Sequence, residues 1–169
     1  APAELRDSGG VPGGGCCIAP AAHLAFSTPR ELFEFASKLR ELSGGKPAGI
    51  KLCIGQPHEF LAICKAMLET GITLDFVVID GAGGGTGAAP VEFSDHVGTP
   101  LQEALLLVHN TLVGANLRDK IKLGASGKII TGCDIPRPSA RGAGRCNAAP
   151  GLMFALGCIQ SQSCHTDRC

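Results

Sequence analysis

The order of apolar patterns along the chain constrains its fold more than any other feature. Short apolar runs typical of buried strands alternate with longer segments in which apolar residues recur at helical spacing. One helix is followed by four strand–helix units, which predicts an α/β fold with parallel strands and right-handed crossovers. These units fit either half of a (β/α)8 barrel or a small open sheet, and periodicity alone does not choose between them.

The ends of the predicted helices carry local signals. Thr28 and Glu31 form a capping box at the start of the first helix, and Gly44-Gly45 end it. Thr99 and Gln102 indicate a second capping box before a later helix. Residues 1–22 lack periodicity and are interpreted as an irregular loop segment. The predicted strands are 49–54, 75–80, 121–125 and 145–148, and the further predicted helices are 57–70, about 99–117, 134–142 and 152–160.

Length and composition indicate one globular domain. The 169 residues are enough for a hydrophobic core but too few for a complete (β/α)8 barrel, which needs about 250. Hydrophobic residues make up 44% of the chain and charged residues 18%, which is not a disordered composition. Lysine plus arginine equals aspartate plus glutamate at 15 each, so a nucleic-acid partner is not expected.

The cellular setting is inferred from cysteine usage and hydropathy. No apolar run approaches the ~18 residues that span a bilayer, and the first residues do not resemble a signal peptide. The nine cysteines are an odd number in a chain larger than most disulfide-stapled domains. We therefore expect no membrane partner and a cytoplasmic location, where clustered cysteines more often serve metal or redox chemistry.

A glycine-rich loop follows the second predicted strand directly, from Asp80 to Pro90. Five glycines in the seven residues 81–87 lower stability through lost chain entropy, which favours a loop whose backbone approaches a ligand. A dinucleotide fingerprint matches only loosely, because Pro90 and the long approach to the next helix fit it badly. A flexible loop without a ligand is the other reading of this pattern.

Two further strand ends are candidate phosphate sites. Ser126, Gly127 and Lys128 leave the third strand, where glycine lets backbone N–H groups face an anion and the lysine adds charge. The turn Asn147-Ala148-Ala149 lies at the end of the last predicted strand. In barrels, the loops after the seventh and eighth strands often bind a phosphate together, and these two strands would be those of a C-terminal half.

Three cysteines near the end of the chain form a possible metal motif. Cys158, Cys164 and Cys169 have the spacing Cys-x5-Cys-x4-Cys, which allows thiolates from one loop to bind a soft metal cluster. Three ligands would suit a cluster of three irons, whereas common zinc motifs use other spacings. Three unrelated thiols remain an alternative.

Lys51 is the other candidate, because a lysine within an apolar strand is costly unless its ammonium is paired. It either faces a ligand anion at the strand end or extends its ammonium into solvent. The remaining histidines and cysteines considered are interpreted as capping, surface or packing residues: His58, His96, His109, Cys16, Cys17, Cys53 and Cys64.

Several of these segments carry a family resemblance. The segments are 25–29, 50–53, 75–90, 91–96, 118–132 and 157–169. Together they resemble the FMN-binding domain of glutamate synthases, most closely its single-domain glutamate synthase-related branch. The resemblance extends from about Val11 to the end, and segments 84–88 and 157–169 are its most specific parts.

The resemblance implies a (β/α)8 TIM barrel, present here as a C-terminal half over 23–169, with FMN at the carboxyl ends of the strands. It implies that Lys51 faces the flavin or an oxo-acid. It further implies that the edge of the flavin is lined by Asp80, Gly81, Gly84, Gly85, Thr86 and Gly87. The implied phosphate cradle consists of Ser126, Gly127, Lys128, Ala148 and Ala149. The implied 3Fe–4S cluster is bound by Cys158, Cys164 and Cys169.

The chemistry that the resemblance implies is reductive amination of 2-oxoglutarate to L-glutamate. Ammonia comes from solution or from glutamine, and electrons come through the cluster from ferredoxin or an NAD(P)H-linked subunit. Another FMN barrel, of the hydroxy-acid oxidase or IMP dehydrogenase type, is one alternative. A catalytically inactive fragment is the other.

Three prolines depart from the family pattern. Pro136 and Pro138 stand where relatives have helix-forming residues, and we expect Pro138 to remove a helical hydrogen bond. Pro150 stands where the closest branch has arginine, which weakens the expected phosphate contacts there.

Overall fold

Parallel strands form one sheet in the computed structural model, which describes residues 23–82, 96–161 and 163. The strands are β1 (Gly49–Cys53), β2 (Phe76–Asp80), β3 (Lys122–Ser126) and β4 (Arg145–Asn147). They lie side by side in chain order, and each neighbouring pair is parallel. Their carboxyl ends therefore share one edge of the sheet, and Cys53, Asp80 and Ser126 lie in register along it.

Helices precede, separate and follow the strands. They are α1 (Pro29–Leu42), α2 (Pro57–Thr70), α3 (Leu101–Gly114), α4 (Pro136–Ala140) and α5 (Ala149–Ala155), with a 3₁₀ turn at Gly132–Asp134. The prediction of an α/β half-barrel of about four βα units is confirmed by this alternation of helices with parallel strands. None of the helices within the described ranges is long and apolar enough to cross a membrane.

Local signals explain where α1 and α2 begin and end. The capping box of α1 is present, because Thr28 Oγ1 accepts the Glu31 N–H at 3.3 Å and a Glu31 carboxylate oxygen accepts the Thr28 N–H at 3.2 Å. Helix α2 occupies its predicted range and ends at Gly71, whose φ of 70° lies in the left-handed region. Local sequence patterns were therefore sufficient to predict where α1 begins and where α2 ends.

The start of α3 differs from the prediction. Pro100 is the N-cap and no side chain caps the helix, so the predicted capping box of Thr99 and Gln102 is wrong. Thr99 instead uses its backbone, donating its N–H to the Ile54 carbonyl at 2.8 Å and accepting the Ala82 N–H at 3.1 Å. Tertiary pairing therefore replaces the local cap, and the helix ends at Gly114 rather than near residue 117.

Three prolines lie in the first turns of the last two helices. Helix α4 begins at Pro136, so Pro138 is its third residue, where a backbone N–H has no helical partner. The expected loss of a hydrogen bond at Pro138 is therefore wrong, and the residue is buried. Helix α5 begins at Ala149, earlier than predicted, because Pro150 suits the first turn of a helix.

The two faces of the sheet differ in character. Alternate strand residues pack against the helices and form the hydrophobic core with residues such as Phe33, Phe60, Leu105 and Leu112. The strand residues on this face are Ile50, Leu52, Val77, Ile79, Leu123, Ala125 and Cys146. The other face carries exposed Lys51, Lys122 and Arg145, and Val78, although buried, is not part of the core cluster. In a closed (β/α)8 barrel the helices lie outside, so this second face is the one that would point into the barrel interior.

Charged residues stabilise the amino edge of the sheet. One oxygen of the Asp75 carboxylate accepts from Arg40 Nε at 3.1 Å and from the Ala48 N–H at 2.7 Å. Arg118 donates to His109 Nδ1 at 3.2 Å and to the Gly142 carbonyl at 2.7 Å. These contacts lie at the end of the strands opposite to the candidate site.

Candidate functional site

An ion pair lies at the carboxyl edge of the sheet. Lys51 Nζ is 2.5 Å from Asp80 Oδ2, and the two side chains are 54% and 29% exposed. Lys51 is paired in register with Val78, two residues before Asp80, so the two charged residues lie on the same face of adjacent strands. The lysine neither extends alone into solvent nor lies buried without a partner. The pair gives the face a fixed cation next to a fixed anion.

The chain after β2 contacts the end of β3. The Gly81 N–H donates to the Ser126 carbonyl at 3.0 Å. Gly127 has a φ of 122°, and a Cβ placed there would lie 3.1 Å from the Gly81 nitrogen and 3.2 Å from Asp80 Oδ1. Gly127 is therefore required both by its backbone conformation and by the space available. Asp80, Gly81, Ser126 and Gly127 form one small surface beside Lys51.

The loop after β3 also reaches the first turn of α5. Lys128 is exposed and has a φ of 48°, which is uncommon for a residue with a side chain. Farther along, a Cβ at Gly151 would lie 2.5 Å from the Ile130 carbonyl oxygen, so the two backbones are in direct contact. The structure thus brings the loop that starts at Ser126 close to Ala149.

Helix α5 offers fewer donors than a typical helix N-terminus. Ala148 is its N-cap and makes no side-chain cap bond, and Ala149 is the first helical residue. Pro150 has no backbone N–H, which removes one of the donors that a first turn can present to an anion. A phosphate bound at this position would therefore take most of its backbone donors from the loop after β3.

Cys53 lies at the edge of the candidate site, although its position in an apolar pattern predicted a packing thiol. It is exposed and lies in register with Asp80 on the face that carries Lys51. Partial burial and the negative charge of Asp80 together raise the pKa of its thiol. The sequence does contain a signal for this position. Cys53 lies two residues after Lys51 in the same strand, so both side chains lie on one face of the sheet.

Arg145 and Phe76 were also missed. The Arg145 guanidinium lies 5.0 Å from the centre of the Phe76 ring, a cation–π contact across the polar face of the sheet. Gly124 lies between them on β3, where a Cβ would approach Arg145 Nε at 3.3 Å. Strand alternation from Gly124 and Asn147 would have placed these residues on the same face as Lys51.

Several predicted site residues lie outside the described part of the chain. They are Gly84, Gly85, Thr86, Gly87, Cys164 and Cys169. Cys158 is described as a half-buried free thiol just after α5, where its N–H donates to the Met153 carbonyl at 3.0 Å. Within residues 23–82, 96–161 and 163, no group of three histidine, cysteine or acidic residues could hold a metal ion. The predicted three-thiolate ligand set therefore stays a prediction.

The described residues that suit a flavin nucleotide best are the ammonium of Lys51 and the backbone beside it. At Gly81 and Gly127 the place of a side chain is taken by Leu101, by Asp80 and by neighbouring backbone, so packing within the chain requires both glycines. The ammonium of Lys51 has three N–H donors, of which the pair with Asp80 uses one. The remaining donors can bind an anion or a ring carbonyl beside the same glycines.

Comparisons with known proteins give consistent matches to one family. The family described as "Conserved region in glutamate synthase" matches residues 3–169. The glutamate synthase large subunit-like protein YerD of Bacillus subtilis is 41% identical over 166 residues, covering 98% of this chain and 31% of that protein. An archaeal glutamate synthase (NADPH) of Methanocaldococcus jannaschii is 35% identical over 168 residues, covering 99% and 32%. This chain thus spans about a third of the length of these curated relatives.

Similarity to solved structures is weaker. The structure of DHODH in complex with ferulenol from Eimeria tenella aligns with a TM-score of 0.45 and 18% identity, over 76% of this chain and 39% of that chain. A mutant flavocytochrome b2 with benzoylformate aligns with a TM-score of 0.46 over 75% of this chain and 29% of that chain, at 18% identity. At these scores the likeness carries no argument about ligand or reaction.

Proposed function

Because this chain belongs to the glutamate synthase family, we propose that it supplies the C-terminal half of an FMN-binding barrel that reductively aminates 2-oxoglutarate to L-glutamate. Residues 23–169 form that half, and the rest of the barrel comes from the remainder of the full-length protein. The single observation that carries the proposal is the Lys51–Asp80 ion pair at the edge of the sheet where Gly81 meets Gly127. In barrels, active sites lie at the carboxyl ends of the parallel strands, which is where this cation and these glycines are found.

Lys51 is the residue that touches the cofactor or the oxo-acid. When bound and reduced, FMN supplies the hydride that converts the imine of 2-oxoglutarate and ammonia into L-glutamate. The Lys51 ammonium, fixed by Asp80, stabilises negative charge that develops next to it. Because the cation is positioned before the ligand arrives, little reorganisation is needed at the moment of reaction.

The backbone at the ends of β2 and β3 holds the nucleotide. Asp80, Gly81, Gly84, Gly85, Thr86 and Gly87 line the edge of the ring system. Ser126, Gly127 and Lys128 bind the phosphate, with Ala148 and Ala149 completing the cradle. The contact between Gly151 and the Ile130 carbonyl supports this assignment, because it brings the two phosphate-binding segments together. Because Pro150 has no backbone N–H, most of the donors to the phosphate come from the loop after β3.

A 3Fe–4S cluster would be held by Cys158, Cys164 and Cys169, where it would supply electron transfer to the site. Thiolates are the usual ligands of such clusters, and the half-buried position of Cys158 suits a ligand shielded from solvent. The electron donor is ferredoxin or an NAD(P)H-linked subunit. Ammonia comes from solution or from glutamine.

The test is anaerobic purification of the full-length protein that contains this chain. We expect the absorbance bands of FMN together with a broad iron–sulfur band, and formation of glutamate from 2-oxoglutarate and ammonia with a chemical reductant. A protein that carries neither chromophore would refute the proposal.

The cluster has its own test. Cys158→Ser should remove the iron–sulfur absorbance and leave the FMN bands in place. The matched control is Cys133→Ser, because Cys133 is an exposed free thiol in the 3₁₀ turn and outside the proposed ligand set. Equal iron content in both variants would contradict the ligand assignment while leaving the flavin assignment intact.

A further inference from the structure

The turn formed by residues 97–101 joins the ends of β1 and β2 from outside the sheet. Thr99 donates its N–H to the Ile54 carbonyl at 2.8 Å, directly after β1. Its carbonyl accepts the Ala82 N–H at 3.1 Å, just after β2. A single residue is therefore hydrogen-bonded to both strand ends, one bearing Lys51 and the other Asp80.

Gly98 allows this turn to lie against β1. Its φ of 92° is in the left-handed region, which residues with side chains rarely adopt. A Cβ at this position would overlap Cys53 Sγ and lie 3.2 Å from the Ile54 carbonyl oxygen. The Cys53 thiol also donates to the Val97 carbonyl at 3.8 Å. Backbone conformation and space therefore both require glycine here.

Leu101, at the end of the turn, lies directly against Gly81, which follows β2. A Cβ placed at Gly81 would lie 2.8 Å from Leu101 Cβ and 3.0 Å from the Leu101 nitrogen. Gly81 is thus held between Leu101 on one side and its hydrogen bond to the Ser126 carbonyl on the other. Movement of the turn has to move Gly81 as well.

We propose that the 97–101 turn positions the Lys51–Asp80 pair and Gly81 for ligand binding, and that Gly98 is its positioning residue. The inference rests on the proposed function, because it takes FMN as the ligand. Cys53 and Lys51 lie on the same face of β1, so a shift at Cys53 passes along the strand to the lysine. Displacements of about 1 Å are sufficient to weaken such sites strongly.

The matched pair of substitutions is Gly98→Ala and Gly142→Ala in the full-length protein. Gly142 has a φ of 96°, and a Cβ there would overlap the His109 ring, so its backbone strain and steric conflict resemble those at Gly98. It precedes β4, at the edge of the sheet opposite to the site. The measurements are the dissociation constant of FMN for the apoprotein, the quenching of bound FMN fluorescence and the thermal midpoint.

We expect both substitutions to lower the thermal midpoint, and only Gly98→Ala to raise the FMN dissociation constant, by about tenfold or more. Adding Cys53→Ala to Gly98→Ala removes the sulfur atom that the new methyl group would meet. The double variant should therefore recover part of the FMN affinity. Such recovery would show that contact with Cys53 transmits the effect of Gly98→Ala to the site, because the backbone strain at residue 98 remains in the double variant.

Cys53→Val keeps the test decisive if Gly98→Ala does not fold. It adds a methyl group beside Gly98 without changing the backbone, and should raise the FMN dissociation constant at a thermal midpoint near that of the wild type. Wild-type affinity in the Gly98→Ala and Cys53→Val variants would overturn the inference, as would equal losses in Gly98→Ala and Gly142→Ala. Failure of the wild-type protein to bind FMN would instead refute the proposed function, and the inference with it.

Discussion

Lys51 Nζ lies 2.5 Å from Asp80 Oδ2 across the junction between β1 and β2, at the edge of the sheet where Gly81 meets the backbone of β3. Neither side chain is deeply buried, so the pair contributes little to folding stability. The importance of the pair for function lies in where it holds the Lys51 ammonium. A lysine held in one place by a neighbouring carboxylate can act on a ligand without first losing conformational freedom.

Lys51→Met should therefore affect function more than stability. We expect kcat/KM for 2-oxoglutarate to fall by about 100-fold and the flavin midpoint potential to become more negative, because the cation that stabilises the reduced ring is gone. The control is Lys65→Met, since Lys65 makes only a 3.7 Å pair with Glu69 on the exposed face of α2. Equal kinetics and potential in the two variants would rule out the role given to Lys51.

Asp80→Asn should increase the reactivity of the Cys53 thiol. Partial burial and the charge of Asp80 raise the pKa of this thiol, so removal of that charge increases the thiolate fraction near neutral pH. The measurement is the rate of iodoacetamide labelling at Cys53 at pH 8, resolved by mass spectrometry of peptides. Exposed Cys133 serves as the internal reference. An unchanged ratio of the two rates would show that Asp80 does not act on Cys53.

Asp75 should make the fold sensitive to acid. Hydrogen bonds from the Ala48 N–H and Arg40 lower the pKa of its carboxyl group. A lowered folded-state pKa contributes stability above the ordinary aspartate range, about pH 4, and that stability disappears as pH falls through the folded-state pKa. Asp75→Asn should thus lower the free energy of unfolding by about 1 kcal/mol at pH 7. The difference from wild type should shrink below pH 4.

Urea unfolding at pH 7 and at pH 3 checks this prediction. Exposed Asp119 provides the control, and Asp119→Asn should leave the urea midpoint unchanged at both pH values. A deficit in the Asp75→Asn variant that is the same at both pH values would mean that its cause is not the charge of the carboxylate.

Gly127→Ala should weaken FMN binding. The φ of 122° strains any residue with a side chain, and the new methyl group would lie 3.1 Å from the Gly81 nitrogen in the proposed binding surface. Gly45→Ala is the matched control, because Gly45 has a φ of 88° and open space around it. Both variants should lose about 1 kcal/mol or more of stability. Only Gly127→Ala should raise the FMN dissociation constant, and equal affinities would contradict the assigned surface.

Patterns in the sequence were informative wherever local interactions decide the structure. The capping box at Thr28 forms as predicted, and α2 ends at its predicted last residue, followed by the left-handed Gly71. Apolar runs predicted β1, β2 and β3, and the predicted segment 145–148 contains β4. The parallel order then placed Lys51, Asp80 and Ser126 near one edge.

Long-range contacts account for what the sequence did not reveal. Thr99 resembles a helix cap, but its backbone bonds to segments after β1 and β2, which are distant in sequence. Pro138 resembles a helix breaker, but the helix starts only two residues earlier. The stacking of Arg145 on Phe76 joins strands that are not neighbours in the sheet, and no local pattern encodes it.

The most direct test of the central claim is an experimental structure of the full-length protein with FMN bound. We expect the flavin ring within hydrogen-bonding distance of Lys51 Nζ, and its phosphate against the backbone of Ser126 and Gly127. A flavin bound away from the carboxyl ends of β1, β2 and β3, with the Lys51–Asp80 pair facing only solvent, would contradict it.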